Sequence, residues 1–256
     1  VTQYTSTNAQ EFIDEAKRII NCAKKHGVPL RLIGALAFNL HCPKFNYIHD
    51  RWGRVFTDTD FVARSEDSSS LIEAYRDLGY QHDEMITTLY GDKRLIFDHP
   101  ETGFHSDVFF DKLDFCHVLP LRERLEVDKL TIPLAELFLE KMQIVQINEK
   151  DIIDTIILIR EHPIGENDKE TINGTIIGRV LATEWGFWRT VTMNMEKVKS
   201  TAERTDLLED ADKTNVLKKL EEIRSRIDAM PKPLAWKVRS RIGDRVKWYK
   251  DVDELG

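Results

Sequence analysis

The sequence predicts a mixed α/β sheet with flanking helices, followed by a helical C-terminal region. Three observations carry this fold class. Short apolar runs suited to strands occur at residues 30–33, 55–62, 94–97 and 105–110, and helical patterns separate the first of them. Gly34 interrupts the first run and leads into residues 35–40, which have the composition of a short helix. Beyond Gly165 the chain reads as helical and more polar. A boundary is placed near residues 161–168, giving an α/β domain over 1–165 and a helical domain over 166–256.

The elements follow in order. Asn8 and Glu11 form a capping box, and Phe12, Ile13, Ala16, Ile19, Ile20 and Ala23 recur at helical spacing. Lys24, Lys25 and His26 suit the negative end of that helix, and Gly27 with Pro29 stops it. Residues 41–54 form a long loop holding Arg51, Trp52, Gly53 and Arg54, and loops of this length often carry function. Residues 68–78 read as a helix ended by Gly79. Residues 85–90, 94–97 and 105–110 read as three successive strands joined by turns. Residues 134–147 are amphipathic, and Asn148 caps a further helix with Asp151 three residues on. Ile152, Ile153, Ile156, Ile157 and Ile159 make that helix apolar until Pro163. Later helices are expected near 168–183, 185–199, 209–230 and 233–251.

The chemistry lies in three carboxylates. Asp58 and Asp60, at i and i+2 of the second run, point to the same side of a strand. Two like charges that close call for a cation, and hard Mg²⁺ suits carboxylate oxygen. Asp107 stands alone inside the run His105-Ser-Asp-Val-Phe-Phe110, on a strand that would lie beside the first pair.

A glycine turn into a helix, an Asp-x-Asp strand and a lone in-strand Asp, in that order, resemble the nucleotidyltransferase superfamily. The likeness extends to the abortive-infection (AbiE-type) toxin nucleotidyltransferases. Arg94 in a strand, Lys141 in a helix, and Lys150, Asp151 and Asp154 at the start of the next helix match that group's pattern, as do Arg54 and Thr57 before the Asp pair. The resemblance covers roughly residues 10–162. It implies a polymerase-beta-like sheet and transfer of a nucleotidyl group from an NTP to a hydroxyl, with two Mg²⁺ ions as cofactor. Asp58, Asp60 and Asp107 would be both metal ligands and catalytic groups. Gly34, Ala35, Arg94, Lys141 and Asp151 would bind the nucleotide, with Asp151 orienting Lys141 or the nucleotide itself. Ala35 departs from the pattern, which has Ser or Gly there; a methyl group cannot donate to a phosphate oxygen. That departure keeps open a degenerate member that binds nucleotide without turnover. Asp58-Thr-Asp60-Phe-Val62 also fits the haloacid-dehalogenase-like phosphatase signature, in which Asp58 would be a nucleophile. That family carries its signature on a first strand, whereas here a helix, a strand and the glycine turn come first. Metal-dependent glycosyltransferases share only the Asp-x-Asp.

Composition bounds the partners. The net charge of −7 argues against a polyanion-binding surface over the whole chain. Residues 224–250 nevertheless hold nine Lys/Arg and two Asp, a local +7, interleaved with Trp236, Trp248 and Tyr249. That mixture suits an RNA acceptor, through phosphate contact and base stacking, and equally suits a helix pair with buried aromatics and solvated cations. Three widely spaced cysteines, Cys22, Cys42 and Cys116, fit reduced thiols and a cytoplasmic location. His41-Cys42 and Cys116-His117 lack the spacing of a zinc site. No leader-like or membrane-spanning stretch is read. An antitoxin partner, a feature of the resembling toxins, is not visible in one chain.

Overall fold

The computed structural model describes residues 7–85, 87 and 91–252. They divide into two compact units. The first comprises Val1–Pro43, Asp50–Leu113 and Pro120–Pro133; the second comprises Lys44–His49, Asp114–Leu119 and Leu134–Gly256. The division thus falls at 133/134, earlier than the expected 161–168. The physical reason is packing: the helices over 134–161 bury their apolar sides among the later helices rather than on the sheet.

In the first unit, helix α1 (Thr7–Lys25) leads through Gly27 to strand β1 (Arg31–Ile33), and Gly34 opens α2 (Gly34–His41). The expected 41–54 loop contains a short helix, α3 (Tyr47–Trp52). Strand β2 (Thr59–Ala63), helix α4 (Ser68–Asp77), and strands β3 (Gln81–His82), β4 (Arg94–Asp98) and β5 (His105–Phe110) follow. The sheet order is β1-β2-β5-β4-β3, with β2 and β5 parallel and every other neighbouring pair antiparallel. Two expectations change. The second strand begins at Thr59, not residue 55, because its ladder to β5 starts at the Thr59–Ser106 pair; Asp58 therefore stands at the strand's entry. The edge partner of β4 is Gln81–His82, not 85–90. Glu84, Met85 and Thr87 are helical, with Thr87 N–H donating to the Asp83 carbonyl, while residues 86 and 88–90 lie outside the described residues.

The pleat sorts this sheet into two faces. Phe61, Ala63, Leu95, Phe97, Val108 and Phe110 are buried on one side. There Tyr75 of α4 stacks on Phe97 at 3.8 Å between ring centroids, and its hydroxyl hydrogen-bonds Ser106 Oγ at 2.7 Å. The regular alternation puts Asp60, Arg94, Ile96, Asp107 and Phe109 on the other side. One face is a core and the other carries charge.

The second unit is helical: α5 (Leu134–Met142), α6 (Glu149–Glu161), α7 (Gly174–Thr183), α8 (Trp185–Arg204), α9 (Asp210–Ala229) and α10 (Leu234–Ile242). Asn148 caps α6 as expected, its side chain accepting from Asp151 N–H at 2.9 Å. The helix expected from 168 instead starts at Gly174. Residues 164–165 and 172–173 form a short parallel strand pair, and Asn173 accepts from the N–H groups of Thr175 and Ile176 to cap α7. The last helix ends at Ile242 rather than 251, where Gly243 takes the C-cap position. Ile156, Ile157, Ile177, Val191, Val198, Val216, Ile223 and Ile227 fill the core of the unit. No described helix is long and apolar enough to cross a membrane.

Candidate active site

The charged sheet face gathers five of the residues singled out in the sequence. Asp60 and Asp107 are direct partners on the adjacent parallel strands β2 and β5. Neighbouring strands lie about 4.8 Å apart, so the two carboxylates project side by side. Asp58, two residues before Asp60, is exposed and close enough for its charge to push the Asp107 pKa upward. Asp60 is half-buried and Asp107 buried.

Gly34 closes one edge of this cluster. Ile33 pairs with Asp60 across the antiparallel β1–β2 ladder, which brings the turn into α2 against the Asp60 side chain. Gly34 has φ +68°, and a Cβ there would lie 2.6 Å from Asp60 Oδ2. Both the backbone conformation and the close approach demand glycine. Ala35 follows it in the first turn of α2, beside the backbone N–H groups at the helix start.

Arg94 on β4 reaches across to Asp107. Its Nε donates to Asp107 Oδ1 at 2.6 Å and its Nη2 to Oδ2, a two-point pair with only 21% of the arginine side chain and 8% of the aspartate exposed. The partners respond unequally. Hydrogen bonding to Asp107 raises the Arg94 pKa against the opposing effect of burial. At Asp107 burial is the larger influence and holds the carboxyl above its ordinary value, with Arg94 pulling it back. The guanidinium expected to face phosphate is therefore engaged by the carboxylate.

Three carboxylates and one guanidinium leave two negative charges on this face. The donors are all hard oxygens, the set that suits Mg²⁺, and by charge and chemistry the residues fit a divalent ion. The three carboxylates are not drawn within 4.8 Å of one another, unlike the groups of ligand atoms found elsewhere in the chain.

Lys141 and Asp151 belong to the second unit and meet there. Lys141 Nζ lies 2.7 Å from Asp151 Oδ1 and 3.4 Å from Asp154 Oδ2, with 12% of its side chain exposed. Burial alone would lower the ammonium pKa, but Asp154 and Asp151 outweigh it and the pKa stands above its ordinary value. Asp154 is fully buried, and His49 Nε2 lies 2.8 Å from its Oδ1. Sequence reading missed this His49–Asp154–Lys141 chain. The signal was present: Asp154 interrupts the isoleucine-rich side of α6, and a charge there must be paired.

The basic C-terminal segment resolves into two sides. Trp236 Nε1 donates to the Leu181 carbonyl at 3.2 Å, and Trp248 Nε1 donates to Thr190 Oγ1 at 3.1 Å. Arg239 sits 4.4 Å over the Trp185 ring and donates to the Gly243 and Val246 carbonyls. The outward side of α10 carries Leu234, Lys237, Val238, Arg241 and Ile242. The two tryptophans thus serve packing within the unit, while Lys247 Nζ lies 4.9 Å from the half-buried Tyr249 ring.

In comparisons with known proteins, the chain matches neither a protein-family model nor a curated protein.

Proposed function

We propose that the sheet face bearing Asp58, Asp60 and Asp107 is the centre of a metal-dependent nucleotidyltransferase. The observation that carries the reading is the pairing of Asp60 with Asp107 on adjacent parallel strands, with Asp58 two residues upstream and Gly34 packed against Asp60. Bound Mg²⁺ would supply charge neutralisation of the triphosphate and of the attacking and leaving oxygens. Asp58 and Asp60 would hold both ions, and Asp107 the one nearer the acceptor. In the transfer, an acceptor hydroxyl attacks the α-phosphorus of an NTP, the bond to the β-phosphate oxygen breaks, and pyrophosphate leaves. Asp107 takes the hydroxyl proton. The N–H groups at the start of α2 face the phosphates, a role that positive charge at a helix N-terminus favours. With an ion on Asp107, Arg94 would be released to face the phosphate. Lys141 and Asp151 enter as nucleotide-binding residues through the resemblance alone; within their own unit Asp151 holds the Lys141 ammonium.

Ala35 favours a second reading, a member that binds nucleotide without turnover. Calorimetric titration with an NTP and Mn²⁺ tests both readings together with the Ala35→Ser variant. A restored hydroxyl is expected to tighten NTP binding by about 1 kcal/mol, the usual net worth of one hydrogen bond. Metal-dependent binding that is lost in Asp60→Asn supports the site. Metal-independent binding, or none, removes the proposal.

A further inference from the structure

On the helical side of the sheet, away from the carboxylate face, the C-terminal ends of α1 and α4 meet. Cys22 Sγ lies 3.4 Å from the Ala74 carbonyl and His26 Nε2 lies 2.9 Å from Asp77 Oδ2, so the contacts advance in the same direction along both helices. Both helices finish in the same manner. Gly27 and Val28 N–H groups return to the Lys24 and Ala23 carbonyls, and Gly79 and Tyr80 N–H groups return to those of Arg76 and Tyr75. The two negative helix ends therefore sit side by side, a place that favours a cation. One donor atom from each of Cys22, His26 and Asp77 lies within 4.8 Å of the other two.

We infer that Cys22, His26 and Asp77 form a zinc site. Cys22 and His26 stand at i and i+4 where α1 ends, and the His26 N–H donates to the Cys22 carbonyl at 3.3 Å. A thiolate with an imidazole selects a borderline-soft ion such as Zn²⁺ over Mg²⁺. A tetrahedral zinc ion with bonds of roughly 2.0–2.3 Å holds its ligand atoms about 3.3–3.6 Å apart. Small side-chain rotations take the present arrangement there. The fixed backbone at both helix ends holds the ligands ready, and water fills the fourth position. Binding replaces the His26–Asp77 hydrogen bond and releases the Cys22 thiol proton to solvent. His26 and Asp77 are open to solvent, at 24% and 63% side-chain exposure, so the ion has a path to the buried sulfur. The neighbouring Lys24 and Lys25 are exposed, and water screens their charges. The site does not depend on the nucleotidyltransferase reading.

The test uses the full chain stripped of metal and titrated with Co²⁺, then Zn²⁺. One equivalent of Co²⁺ is expected to give the near-ultraviolet charge-transfer band of a thiolate–cobalt bond, and Zn²⁺ to abolish it. Because carboxylates give no such band, ions at Asp58, Asp60 and Asp107 do not interfere. Cys22→Ser and His26→Ala are each expected to remove the band, and Asp77→Asn to weaken binding at least tenfold. Alkylation of Cys22 in the unaltered chain, followed by mass spectrometry, gives a reading independent of variant folding; one equivalent of Zn²⁺ should slow it at least tenfold. Absence of the band at one equivalent, its persistence in His26→Ala, or unchanged alkylation with Zn²⁺ would each overturn the inference.

Discussion

Replacing Gly34 by alanine separates the two demands made on this residue. The first is conformational: a non-glycine residue at φ +68° costs roughly 1–2 kcal/mol. The second is contact, because the new Cβ would lie 2.6 Å from Asp60 Oδ2 and must push that carboxylate off its position. Overpacking of that kind costs a further ~1–3 kcal/mol. Gly103 supplies the control, with φ +73° and nothing within 4 Å of an added Cβ. Both substitutions recover about 0.4–1 kcal/mol by restricting the unfolded chain. Gly103→Ala is therefore expected to lose up to about 1.6 kcal/mol, and Gly34→Ala about 1–3 kcal/mol more than that. Urea denaturation at equilibrium measures both, and repeating it with Mn²⁺ reads the state of Asp60. Wild type and Gly103→Ala should gain stability from Mn²⁺, while Gly34→Ala should gain little. Equal losses in the two variants, or a full Mn²⁺ response in Gly34→Ala, would refute the argument.

Three further outcomes rest on the same geometry. Arg94→Gln should tighten divalent-ion binding, since the ion no longer competes for Asp107, while weakening NTP binding; calorimetry with Mn²⁺ alone and with nucleotide checks the opposite signs. Asp107 has a folded pKa above its unfolded value, so the folded state keeps its proton to higher pH. Its contribution to stability should fall as pH rises from about 4, the ordinary Asp value, through the raised folded value. Urea midpoints across that range should decline less steeply in Asp107→Asn, and an identical slope would contradict the burial argument. Asp154→Ala would leave Lys141 without its fully buried partner and His49 without its acceptor, and should cost about 3–5 kcal/mol. Denaturation of that variant beside the exposed control Asp206→Ala measures the difference.

Much of the first unit is legible from local rules. The apolar spacing of α1, the glycine stop after it and the Gly34 turn are properties of neighbouring residues, and the structure obeys them. The adjacency of the Asp107 strand to that of Asp60 could be anticipated, but its register could not, since pairing is a relation between distant segments. The same limit explains the shortened second strand. Residues 55–58 have strand composition, yet the ladder to β5 begins only at Thr59. Composition and packing divide the chain at different places. The polarity change near residue 165 is real, but Ile156 and Ile157 pack among helices, so α6 belongs with the helices of the second unit. At the site, the strand pattern assigned Asp58 and Asp60 a common side, although Asp58 precedes the ladder that aligns Asp60 with Asp107. It held no hint that Arg94 would lie on Asp107 or that Lys141 would be neutralised twice.

Paired labels separate the proposed nucleotidyl transfer at the Asp58, Asp60 and Asp107 face from other phosphate chemistry. The chain is incubated with Mg²⁺ and total RNA or protein acceptors, once with NTPs labelled on the α-phosphate and once with γ-labelled NTPs. Transfer of the α-label to an acceptor, release of the γ-label as pyrophosphate, and loss of both in Asp58→Asn and Asp107→Asn are the predicted results. Release of the γ-label as inorganic phosphate, or α-label transfer that survives either substitution, would contradict the account.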